Sequence, residues 1–132
     1  MFKKINDYNF GINKETQLLP TIKQFLNDNT IYKLENSNEF DFKGDNKYIE
    51  LKSRRNKYNK FSSTMVGLNK IQKASTLNEY VYFFFSFEDG LYYWLYDKDY
   101  ELEIKLSGRW DRGRAEIKDY CYIPIDMLIK VN

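Results

Sequence analysis

Apolar residues recur along the chain with two rhythms. In "NKETQLLPTIKQFLND" (13–28), Leu18, Leu19, Ile22, Phe25 and Leu26 fall at i, i+1, i+4, i+7 and i+8, the spacing of one buried helical face. Asn13 is the expected N-cap and Asn27 to Asn29 the stop. Pro20 either kinks this helix or sits in a late-starting first turn. "TIYKLE" (30–35) predicts a strand, and "FDFKGDNKYIELKSR" (40–54) two more around "GDNK". In "SSTMVGLNKIQKAS" (62–75), Met65, Leu68, Ile71 and Ala74 recur at i+3, predicting a second helix capped by Ser62 or Ser63, with Gly67 its weak point. "YVYFFFSF" (80–87) has almost no polar residue, as expected of a strand buried on both faces. "EDG" turns it and "LYYWLY" returns as a hairpin partner. "YELEIKL" (100–106) alternates like a strand, "SGRWDRGRAEIKD" (107–119) reads as a loop, and "YCYIPIDMLIKV" (120–131) as a short strand with Pro124 at an edge or end. The order helix, three strands, helix, strands predicts one α/β domain over residues 1–132, with a mixed central sheet flanked by helices and one core.

The 40–54 stretch can be taken further. A two-residue loop at Asp45 and Asn46 pairs Gly44 with Lys47 and sets Asp41 directly opposite Glu50; a four-residue loop gives the same register. Directly opposed residues share a face, with Cβ atoms about 4.5–5.5 Å apart, and Lys52, two residues after Glu50, joins them. Phe40, Phe42, Ile49 and Leu51 would share the other, apolar face. A three-residue loop would slip the register by one and disperse the group; the apolar alternation favours the first.

The 132 residues are 42% hydrophobic, 18% aromatic and 30% charged, a globular composition at one-domain length. The start, "MFKKINDYNF", lacks a signal peptide's apolar stretch, and no apolar run reaches the roughly 18 residues of a membrane span. An intracellular protein that is neither secreted nor membrane-bound is expected. One cysteine and no histidine exclude an intramolecular disulfide, a zinc site of Cys and His, and Ser-His-Asp or Cys-His catalysis. A metal here must be held by oxygen, which favours Mg²⁺ or Mn²⁺.

The formal net charge is only +2, yet residues 52–60 hold five cations (Lys52, Arg54, Arg55, Lys57 and Lys60) and no acid. All five arginines fall in two clusters, Arg54 with Arg55 and Arg109 with Arg112 and Arg114, beside Tyr58, Phe61 and Trp110. Arginine's planar fork suits phosphate, so these clusters point to a nucleic-acid surface; the alternative is a solvated loop with a cationic bias.

Two facing carboxylates repel unless a cation lies between them. Mg²⁺ held by Asp41 and Glu50, with the carbonyl of Leu51 as a further oxygen, would relieve that, and Lys52 could stabilise an attacking hydroxide or the charge developing on a phosphate. The alternative is a cross-strand salt bridge on a wet sheet face, which contributes little.

The "FD" at 40–41 and "ELK" at 50–52, on the second and third predicted strands after a helix, resemble the PD-(D/E)XK nuclease superfamily. The ending "IELKSR" is similar to that of small Holliday-junction-resolvase-like nucleases. The resemblance covers residues 12–87 in element order, with Phe40 in place of the family's proline and a short gap from Asp41 to Glu50. It implies a three-layer restriction-endonuclease-like fold, with Asp41, Glu50 and Lys52 as catalytic residues. It also implies an acid on the first helix facing the site: Glu15 matches, Gln17 is the fallback, and an ordinary first-turn acid is the alternative. On the second helix Lys70 is a polar residue that could face the site and the DNA, or a solvated lysine. Asp45 is a further acid, but its place in the turn suits a shaping role. The expected activity is Mg²⁺- or Mn²⁺-dependent hydrolysis of DNA by an endonuclease, structure-specific or homing- or restriction-like. A DNA-binding module of the same fold without catalysis is the alternative, and an interaction protein with a structural hairpin the third. Paired cuts would need two sites, so a homodimer is expected, with "LYYWLY" as its apolar edge.

Overall fold

The computed structural model describes residues 2–36, 38–109 and 116–131, and the side chains of 9–36, 38–106 and 119–131. Helix α1 (Phe2–Leu26) begins well before Asn13 and continues through Pro20, which is exposed. β1 (Tyr32–Lys33) is the only part of 30–35 that pairs. β2 (Phe42–Gly44) and β3 (Lys47–Ser53) form the expected hairpin. β4 (Ser63–Gly67), α2 (Leu68–Ser75), β5 (Tyr80–Phe87) and β6 (Gly90–Leu95) follow. β7 (Glu103–Arg109) and β8 (Glu116–Pro124) are strands where 107–119 reads as a loop. A single 3-10 turn at Ile125–Met127 and β9 (Ile129–Lys130) close the described chain.

The second helix is shorter than its pattern. Thr64 and Val66 alternate inward on β4, and the helical period begins only at Leu68, after an extended Gly67. The i+3 step from Met65 to Leu68 crosses a strand–helix junction. Pro124 ends β8, as its missing N–H requires.

One sheet was expected, and two are present. The first has the order β1-β2-β3-β5-β6-β9, with β3 and β5 parallel and the other pairs antiparallel. The second is the antiparallel trio β4-β8-β7. The core is likewise double. Leu18, Leu19, Ile22 and Leu26 of α1 pack with Phe42, Ile49, Leu51 and Phe84 on one side of the main sheet. On the other, Leu68 and Ile71 of α2 and Val66, Cys121 and Ile123 of the second sheet pack with Val81, Phe83 and Phe85. β4 and β8 each carry an apolar face, and burying it against the main sheet removes more apolar surface than extending the sheet edgewise would. The consecutive Phe83, Phe84 and Phe85 are fully buried, as a strand covered on both faces demands. β6 is not the apolar edge expected of "LYYWLY", because β9 pairs with its Tyr92 and Tyr93.

The turn end of the β2–β3 hairpin is clasped from below. Gly44 pairs with Lys47 and Asn46 takes a left-handed φ of 58°. Asp28 ion-pairs with Lys47 and accepts hydrogen bonds from the Thr30 N–H (2.8 Å) and hydroxyl (2.5 Å). The Thr30 hydroxyl in turn accepts from the Asp45 N–H (2.8 Å). A Cβ on Gly44 would lie 2.7 Å from Ile31 Cγ1 and 2.9 Å from Asp28 Oδ2, so only glycine lets the strand approach so closely.

Candidate active site

The clasp fixes the register that brings the acids together. Phe42 pairs with Ile49, Lys43 with Tyr48 and Gly44 with Lys47, as the even-loop count requires. The ladder then slips at Asp41, one residue before β2. Its N–H donates to the Ile49 carbonyl (3.0 Å), its carbonyl accepts from Leu34 N–H (2.8 Å), and Oδ2 accepts from Leu51 N–H (2.7 Å). The slip acts as a bulge would and throws Phe40 to the opposite face. Phe40 packs with Val66 and Phe83, not with Phe42, Ile49 and Leu51.

Glu50 is 2% exposed, which excludes a salt bridge on a wet sheet face. Its Oε2 lies 3.1 Å from Lys52 Nζ and 3.6 Å from Lys70 Nζ. Lys70 reaches in from α2, also donates to the Glu39 carbonyl, and sits 5.9 Å from the Phe40 ring centre. Glu50 Oε1 is buried with no hydrogen-bond partner. Burial pushes the Glu50 carboxyl up to about 7; the two lysines pull it down and Asp41 pushes it further up. Burial also raises Asp41, with help from Glu15, against the hydrogen bond from Leu51.

Glu15 is the α1 acid that arrives. It stands on the same helical stripe as Leu18, Leu19 and Ile22, is buried, and its Oε2 is 2.8 Å from Lys33 Nζ. Lys33 was missed by sequence reasoning: it lies on β1 and comes near Glu15 only through long-range folding. Its one local signal is the apolar–polar alternation of "TIYKLE". Glu15, Lys33 and Asp41 border an open cleft of about 270 Å³, lined also by Gly11, Ile12, Glu35, Asn36, Asn38 and Phe40. Gln17 is exposed, and Asp45 lies in the turn at the far end of the hairpin.

The donors fit a hard divalent cation. Burial raises both adjacent carboxyls even with Lys52 and Lys70 close by, and one oxygen of Glu50 is orphaned. The Leu51 carbonyl lies on the same strand edge as the N–H that meets Asp41. Among the described residues no three Asp, Glu, His or Cys side chains converge as a ready cage. The protein would thus supply part of a coordination shell and leave the rest to water and phosphate, as Mg²⁺ sites do.

The basic residues divide. Arg54 turns inward: Nη2 donates to the Met65 carbonyl (2.5 Å), Nε to Thr64 Oγ1 (3.3 Å), and its N–H to the Ser86 carbonyl (2.8 Å), binding β4 to the end of β3 and β5. Arg55, Lys57 and Lys60 are exposed, with Arg55 4.6 Å from the Phe10 ring centre and Lys60 5.5 Å from that of Phe61. Tyr58 anchors this segment: it stacks on Tyr92 at 4.1 Å, donates from its hydroxyl to Ile125 O, and donates its N–H to Asp89. Arg109 ends β7; Arg112 and Arg114 lie outside the described residues.

The profile of a family described as phage putative PDDEXK endonuclease matches residues 10–131. No curated protein and no solved structure matches the chain.

Proposed function

The chain belongs to the phage putative PDDEXK endonuclease family, and we propose that it hydrolyses DNA phosphodiester bonds with Mg²⁺ or Mn²⁺, acting inside the cell. In this proposal α1, the main sheet, and α2 with the second sheet form the three layers of a restriction-endonuclease-like fold. The observation that supports it most is the buried pair Asp41 and Glu50, with Glu50 pushed up to about 7 while two lysines stand within 3.6 Å.

Asp41, Glu50 and the Leu51 carbonyl would hold the cation. Once bound, it supplies Lewis-acid polarisation of the phosphate and a more acidic water. Lys52 and Lys70 place positive charge where a phosphate oxygen gains negative charge. Glu15 holds Asp41 in place, itself fixed by Lys33. Arg55, Lys57 and Lys60 grip backbone phosphates, with Arg109, Arg112 and Arg114 as a second grip. Arg54 serves by fixing the strand that carries the basic segment.

Purified protein incubated with linear, circular, single-stranded and branched DNA tests this. Cleavage with Mg²⁺ or Mn²⁺, abolished by chelator and by Asp41→Ala, is the expected result. Absence of cleavage on every substrate would overturn it. DNA binding without cleavage would instead support a catalytically silent module.

A further inference from the structure

The inner face of the second sheet is buried at β4 and β8 but emerges at β7. Val66 and Cys121 pair across β4 and β8 and are each 1% exposed. Ile104, the β7 partner of Cys121, is 55% exposed, and Leu106 is 67% exposed. Among the described residues β7 is also one of the two outer strands of its sheet. Free main-chain groups beside apolar side chains make such an edge a template for strand pairing. On the opposite face Glu103 and Lys105, both exposed, ion-pair at 3.0 Å.

We infer that β7 pairs antiparallel with β7 of a second copy of this chain, about a two-fold axis at Ile104. In that register Ile104 opposes Ile104, Leu102 opposes Leu106, and each Glu103 opposes the other copy's Lys105. Across 102–106 every cross-strand pair is then apolar with apolar or acid with base, with Leu102 one residue ahead of β7. Neighbouring registers fail. A centre at Glu103 opposes two acids, a centre at Lys105 opposes two lysines, and a half-step sets Ile104 against a charge. Nucleic acid is a poor occupant, because residues 97–103 leading into and starting this strand carry four acids, Asp97, Asp99, Glu101 and Glu103, against the single Lys98. The pairing joins the two second sheets into one of six strands and leaves the β3 and α2 site groups of each copy outside it.

Light scattering on size-exclusion fractions of the full chain tests the pairing. The wild type is expected at twice the chain mass at micromolar concentration. Ile104→Lys should run as a monomer with unchanged circular dichroism, because Ile104 is not a core residue, and its melting temperature should no longer rise with concentration as the wild type's does. Glu103→Lys and Lys105→Glu should each be monomeric, since each opposes like charges. The double exchange should dimerise again. A monomeric wild type, a dimer that survives Ile104→Lys, or a double exchange that stays monomeric would overturn the inference.

Discussion

Asp28 and Glu50 stand at opposite ends of one hairpin, and each is a buried acid that meets a lysine of β3. Asp28 has its carboxyl held down at about 2, by the hydrogen bonds from Lys47 and then from Thr30. Glu50 has two lysines within reach and is nevertheless pushed up to about 7. The difference lies first in burial, which dominates at Glu50 and counts for little at Asp28, and then in the other partners. Asp28 accepts two hydrogen bonds beside its ion pair, whereas Glu50 has an orphaned oxygen and a second carboxylate alongside. Hydrogen bonds to the charged form stabilise it; burial and like charge oppose it. Asp28 is therefore a satisfied structural joint, whereas Glu50 keeps a buried oxygen without a hydrogen-bond partner.

Exchanging the two acids for amides separates these roles. The largest effect belongs to Glu50→Gln and Asp41→Ala in the cleavage assay, a loss of about 10²-fold or more, because charge at the reacting phosphate goes uncompensated. Next in size is a gain: with chelator present at pH 8, Glu50→Gln should be more stable by up to about 3 kcal/mol in urea unfolding. The sign follows from a raised carboxyl. Its contribution is fully present below the ordinary value of 4.5 and is lost as pH rises through about 7, so the advantage of the amide should vanish near pH 4. An equal advantage at both pH values would break the contrast. Gly44→Ala should destabilise by about 1–3 kcal/mol, because the added methyl strikes Ile31 and the clasp. The smallest change is expected of Asp28→Asn, which keeps the shape and the acceptor for Thr30. It should lower stability at neutral pH and remove that joint's share of the acid transition. The sign is opposite to that of Glu50, since a lowered carboxyl stabilises above its ordinary value of 3.8 and loses that contribution as pH falls towards about 2.

The hairpin register was legible because an even loop and strict alternation leave one solution, and three pairs follow it. What alternation could not show was the slip at Asp41, which depends on Leu34, just past β1, and on Leu51 of β3. Phe40 was assigned to the wrong face for that reason. β4 was hidden because a strand followed by a helix can mimic an i+3 repeat across their junction. Lys33 and the inward turn of Arg54 were illegible because both depend on partners distant in sequence. Glu15 and Lys70 could be named as alternatives but not decided, since a helix face is settled by what it packs against.

The parallel pairing of β3 with β5 also orders events in time. The β2–β3 and β5–β6 hairpins close over two-residue loops, whereas β3 reaches β5 only after residues 54–79 have been folded back. Closing that long segment carries the greater entropic cost and belongs to the slow part of folding. Lys70 and the exposed Arg55, Lys57 and Lys60 all lie within it. A chain caught before that closure would hold Glu50 hydrated and far from Lys70, with the proposed centre unassembled while the protein is still being made.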